Sequence, residues 1–106
     1  MLATPPPGAL RLLLRSWRAR TRPEDIGAVR GLRQSPEAGV TQEQVARRVG
    51  CTLRHYAAVE AGHALPGYTL VHRLVSLYQL DDRERLQLLD ALISASRNET
   101  SARQAC

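Results

Sequence analysis

The sequence predicts an all-α fold, a compact domain of five helices, on three observations. Apolar residues recur at the i, i+3, i+4, i+7 spacing of a helix face along most of the chain. The core must be built from Leu, Val, Ala and Ile, because aromatics are 4% of the 106 residues and there is no Phe; such an aliphatic core favours helices over a sheet. Thr, Gly and Pro stand where those helices would start and stop. A chain of this length makes one domain, here expected over residues 9–96, with a flexible Pro-rich lead at 1–8 and a polar tail at 97–106.

The first helix is expected from Ala9, with Leu10, Leu13, Leu14 and Trp17 on one face and an end before Pro23. Arg11, Arg15, Arg18 and Arg22 form a second stripe, which is either a solvated basic face or a phosphate-facing one. The Gly- and Pro-rich connector that follows is expected to hold one helical turn at Pro23–Ile26, with Ile26 and Val29 tucked onto the core. Arg30 and Arg33 add charge to it, so it either lies along a polyanion or is a disordered loop. Thr41 is a helix N-cap, Val45, Ala46 and Val49 are the inner face of the second helix, and Gly50 ends it. Thr52 caps the third helix, whose Tyr56 and Val59 point inward. Leu70, Leu74, Leu77 and Tyr78 mark the fourth. Asp81 and Glu84 make a capping box for the fifth, where Leu86, Leu89 and Ile93 are expected to face the core. Leu88 and Leu92 then fall on another side, and are expected either to be buried or to meet a second copy of the chain.

Charge narrows the function. The formal net charge is +5, and all fifteen basic residues are Arg, which suits a polyanionic partner and bidentate contacts to phosphate or guanine. Residues 41–62, "TQEQVARRVGCTLRHYAAVEAG", place two short helices around one glycine in the layout of a helix-turn-helix. Val40, Val45, Val49, Cys51, Tyr56 and Val59 would be their shared core. Outside, the third helix (residues 52–61) shows a small, flat face that can enter a major groove of duplex DNA. Arg54 is the expected guanine reader, Leu53, Ala57 and Ala58 can pack on thymine methyls, and Thr52 can take a base contact. Gln42, Gln44, Arg47, Arg48 and His55 are the expected phosphate contacts.

These same residues resemble the lambda-repressor-like (XRE) helix-turn-helix family, through the opening Thr-Gln, Ala46, Gly50, Thr52, Glu60 and Gly62. "RARTRPEDIG", "HYAAVEAG" and "LYQLDDRERLQLL" are further similar to the N-terminal DNA-binding half of MmyB-like actinobacterial regulators, so that the likeness spans about Leu10 to Ile93. The resemblance implies a lambda-repressor-like five-helix domain, a phosphate contact at Gln42, base-reading positions at Thr52, Leu53, Arg54 and Ala58, and a structural role for Glu60. Ala57, Ala58 and Ala61 stand where many relatives carry polar residues, which implies few base contacts. MmyB-like proteins usually continue into a larger ligand-binding domain that this chain lacks, so sensory input is expected from a separate regulatory protein, if there is any.

The expected function is therefore that of a sequence-specific transcriptional regulator, bound as a homodimer to a near-palindromic duplex site. The rival is an interaction module, an antitoxin or a modulator of another transcription factor. No cofactor is expected, and no metal, since His55, His63, His72 and Cys51 have no zinc-ligand spacing. No nucleophile–base set or phosphate loop points to an enzyme. The "LRLLL" run is too short for a signal peptide, with Arg11 inside it, and nothing nears the roughly 20 apolar residues of a membrane span. Two cysteines outside any framework point to a reducing compartment, so a cytoplasmic, nucleoid-associated location is expected.

Overall fold

The computed structural model describes the backbone of residues 8–104 and the side chains of residues 8–97. The expected lead at 1–8, apart from Gly8, lies outside the described residues, as does Cys106. Five helices follow in order: α1 (Ala9–Arg20), α2 (Gln42–Val49), α3 (Leu53–Ala61), α4 (Tyr68–Leu77) and α5 (Asp82–Gln104), with a 3₁₀ turn at Pro23–Ile26 between the first two. α5 continues through the polar stretch that composition marks as a tail. Helix α3 packs on both α1 and α2, α5 packs on α1, and α4 closes against α2.

The core follows the helical periodicities. Leu10, Leu14 and Trp17 of α1 meet Val45, Ala46 and Val49 of α2, Tyr56 and Val59 of α3, and Leu70, Leu74 and Tyr78 at α4. Ala46 is 1% exposed; its small side chain lets α2 and α3 approach. Trp17 and Tyr78 pack with ring centroids 6.4 Å apart. The capping box at α5 is present in both directions, the Glu84 N–H donating to Asp81 at 2.8 Å and the Asp81 N–H to Glu84 at 3.1 Å. Glu84 also accepts from Arg20, which donates in addition to the Tyr78 carbonyl at 3.2 Å, so the end of α1 is tied to the start of α5.

The fifth helix turns its other side inward. Leu88 and Ala91 are buried, Leu92 packs partly against the core, and Leu86, Leu89 and Ile93 are about half exposed. Leu88 therefore cannot form a dimer surface, and Leu92 is at most its edge. Both sides of α5 are apolar, so periodicity alone does not choose between them; the packing of α5 on α1 does, with Leu88 buried.

The connector is ordered by side chains that bind its backbone. Ile26 is buried as expected, but Val29 is 88% exposed, and the segment is held there by its carbonyl, which accepts from the Gln44 amide at 3.1 Å. Arg30 lies across the loop, paired with Glu24 at 3.0 Å and donating to the carbonyls of Ser35 and Ala38, so its charge is used within the fold. At Gly39 the chain presses against the last turn of α1: a Cβ there would sit 2.3 Å from the Arg18 carbonyl oxygen and 2.5 Å from that of Ala19. The Val40 N–H then donates to the Thr21 carbonyl at 2.8 Å, delivering the chain to the start of α2.

Two measurements check this account. Gly39→Ala should destabilise the domain by about 1–3 kcal/mol or more in urea unfolding, since backbone must move to make room; Gly31→Ala, where a Cβ meets nothing nearer than 3.9 Å, serves as the neutral comparison. The Arg20 hydrogen bonds hold the Glu84 carboxyl below its usual range. A depressed carboxylate contributes stability that is present above its unfolded pKa and lost as pH falls through the folded one. Arg20→Gln should thus flatten the loss of stability on acidification below the ordinary carboxylate range, as read from thermal midpoints against pH.

Candidate nucleic-acid interface

The two helices of the motif are set by paired caps. The Thr41 hydroxyl accepts from the Gln44 N–H at 3.1 Å, and the Gln44 side chain accepts from the Thr41 N–H at 2.9 Å. Helix α2 ends at Gly50, which has φ +78°, a backbone region that an L side chain adopts only with strain. The Gly50 and Cys51 N–H groups both donate to the Ala46 carbonyl, each at 3.0 Å. Arg73, from α4, donates to the Val49 carbonyl at 2.8 Å and so satisfies an open acceptor at the α2 C-terminus. Thr52 then starts α3, its hydroxyl oxygen accepting from the His55 N–H at 3.0 Å. That leaves the Thr52 hydroxyl proton available to donate outward.

Helix α3 is held from behind by a polar network inside the core. Glu60 is 2% exposed. Arg18 of α1 meets it with both Nε and Nη2, at 3.1 Å to one carboxylate oxygen and 3.0 Å to the other, and gives Nη1 to the Val40 carbonyl at 3.2 Å. Burial works against the guanidinium charge, but the hydrogen bonds and attraction of Glu60 outweigh it and raise the Arg18 pKa. Beside this pair the Tyr56 and Tyr78 hydroxyls lie 2.5 Å apart and buried. Burial, reinforced by the neighbouring Glu60 carboxylate, pushes both phenols above their ordinary range, so they stay neutral. Arg18 is thereby removed from the α1 basic stripe, which leaves Arg11 and Arg15 exposed on it.

The outer face of α3 carries Leu53, Arg54 and His55 exposed, with Ala57 and Ala58 half-buried beside them. Leu53 is 46% exposed, a large apolar side chain open to solvent on the first turn. Among the described residues the Arg54 guanidinium has no hydrogen-bond or ion-pair partner. Gln42 is half-buried at the start of α2, beside Arg11 and Arg15 across an open groove of about 360 Å³. On its other side a wider hollow of about 590 Å³ leads past Gly39 to Leu53. Gln42 and the N-terminal part of α3 thus share one surface.

The remaining expected phosphate contacts divide. Gln44 is occupied: its amide pairs head to tail with that of Gln34, at 3.0 and 3.1 Å, while also bonding Thr41 and the Val29 carbonyl, which corrects the expectation that its side chain is free for phosphate. Arg47 pairs with Glu43 at 3.1 Å, but the two side chains are 81% and 59% exposed, a surface pair worth about 0–1 kcal/mol that a phosphate can displace. Arg48 borders a separate hollow with Asp25, Arg73 and Ser76 and is not brought together with α3.

Residues 9–88 match the family model of the helix-turn-helix domain. The chain belongs to that family. Comparison with curated proteins and with solved structures finds no match. The helix-turn-helix assignment covers most of the chain and suggests DNA as partner. Cys51 is half-buried rather than fully buried, and burial pushes its thiol above the ordinary value, which makes it a poor nucleophile or metal ligand. Among the described residues no three His, Cys, Asp or Glu side chains gather as metal ligands, and no helix is long and apolar enough to cross a membrane.

Arg18→Ala should cost about 3–5 kcal/mol in urea unfolding, because Glu60 stays buried without its partner. The double change Arg18→Met with Glu60→Leu should recover much of that loss. A single variant as stable as the parent would show that the pair does not hold α3 to α1.

Proposed function

We propose that this helix-turn-helix domain is a sequence-specific transcriptional regulator of the lambda-repressor-like (XRE) type, nearest in pattern to MmyB-like regulators, that binds duplex DNA with α3 in the major groove. The observation that carries the reading is Arg54: a solvent-facing guanidinium, without a protein partner among the described residues, on the first turn of α3. The N-terminal part of a recognition helix is the part that meets base edges, and Arg matches the O6 and N7 acceptors of guanine. Thr52, Leu53, Ala57 and Ala58 complete the reading face, with apolar contacts suited to thymine methyls. Gln42, Arg47 and His55 lie where phosphates would flank that groove. Each supplies a donor, and Arg47 also a full charge.

A homodimer on a near-palindrome belongs to this reading, with recognition helices on half-sites roughly 34 Å apart. The surface we assign to it is the exposed stripe Leu86, Leu89 and Ile93 of α5, in place of Leu88. The site of action would be the cytoplasm, on the nucleoid.

Arg54→Ala should weaken binding to a selected duplex site by about 1–3 kcal/mol and relax preference at one base pair. Unchanged preference in a randomised-site selection would remove Arg54 from the reading face. Binding that ignores salt and goes to a protein, with no retention on DNA at low ionic strength, would favour the interaction-module reading instead.

A further inference from the structure

The open groove between α1 and α3 holds two charges that the fold does not use. Arg11 and Arg15 project into it from α1, Gln42 borders it from the start of α2, and Ala57 and Ala61 form its α3 wall. Its one carboxylate, Glu60, is buried and bound on both oxygens by Arg18, so the pair cancels and the groove keeps the charge of Arg11 and Arg15. These two are four apart on one helix, where like charges oppose helix formation. Arg11 also falls in the first turn of α1, the positive end of its dipole, and no acidic residue stands in that turn to offset it. Neither arginine has an ion-pair or hydrogen-bond partner among the described residues. An arrangement this unfavourable to α1 alone becomes favourable once an anion lies between the arginines and Gln42.

We propose that the α1–α3 groove is a phosphodiester-binding site, in which Arg11, Arg15 and Gln42 clamp the DNA strand bordering the major groove that α3 enters. The proposal rests on the DNA reading above. Ala57 and Ala61 serve it by shape: side chains of one carbon keep the wall low, so a strand can approach α1 without meeting α3. The clamp is blind to sequence, since every nucleotide offers the same phosphate. It therefore sets the register of α3 in the groove and adds salt-dependent affinity, while Arg54 selects the base.

The test compares wild-type protein with Arg11→Gln/Arg15→Gln on a duplex that the wild type has selected from a random pool. Both positions are exposed, so the double variant should melt at or above the wild-type temperature. Binding measured against salt should lose roughly 1.8 from its log–log slope, about 0.9 for each phosphate contact removed, with base preference unchanged. Ethylation of single phosphates should interfere with wild-type binding at a position that no longer matters to the variant. Arg11→Lys/Arg15→Lys should retain the slope. Arg83→Gln/Arg97→Gln, which removes the same charge from α5, should barely change it. An unchanged slope in the first variant, or an equal fall in the α5 variant, would overturn the clamp while leaving the DNA reading intact. Wild-type protein that selects no duplex and shows no salt-dependent retention overturns the DNA reading itself, and the clamp with it.

Discussion

Everything on the outer face of this domain depends on a carboxylate hidden behind it. Glu60 sits on the inward side of α3, and a buried charge without a partner is among the most destabilising features a small core can hold. Arg18 answers it with a two-nitrogen contact, and the same guanidinium reaches the Val40 carbonyl just ahead of α2. One side chain of α1 therefore references both helices of the motif to a common frame. Tyr56 and Tyr78 extend that frame to α4 through their paired hydroxyls. These directional contacts give α3 one seat.

The connector between α1 and α2 belongs to the same frame. Its sequence is rich in Gly and Pro and exposes Val29 and Leu32, yet its backbone is held at several points by Arg30, Gln34 and Gln44. These residues satisfy carbonyls that no helix or sheet covers, and in doing so they withdraw polar groups from the surface. Arg30, in a connector expected either along a polyanion or disordered, becomes an internal strut across the loop, and Gln44, an expected phosphate contact, becomes one between the loop and the α2 cap. Arg54 on α3 and Arg11 and Arg15 on α1 are among the charges that the fold leaves unused.

How far the sequence was legible follows from the range of the interactions involved. Helix starts and stops were readable because Thr41, Thr52, Gly50 and the Asp81–Glu84 box act within three or four residues of themselves. The inner faces of α1 to α4 were readable because their large apolar side chains recur at helical spacing. Helix α5 has two apolar sides, and only its contact with α1 selects Leu88 over Leu89. The partners of Arg18, Arg30 and Gln44 lie far along the chain or in an irregular loop, where no spacing rule reaches. The basic stripe of α1 was visible as a pattern, but its position beside Gln42 is a tertiary fact.

Arg73 gives the motif a property that its own residues do not contain. The guanidinium that closes the α2 C-terminus comes from α4, and its Nη1 would lie 3.0 Å from a Cβ at Gly50. The bend between α2 and α3 is thus braced by a residue outside the segment that forms it. Residues 41–62 are not a portable cassette: grafted onto another helical scaffold, they would bring the caps and the glycine but leave the brace behind. The angle at which α3 is presented belongs to the whole domain, and any re-targeting by exchange of α3 inherits that angle as long as α4 stays.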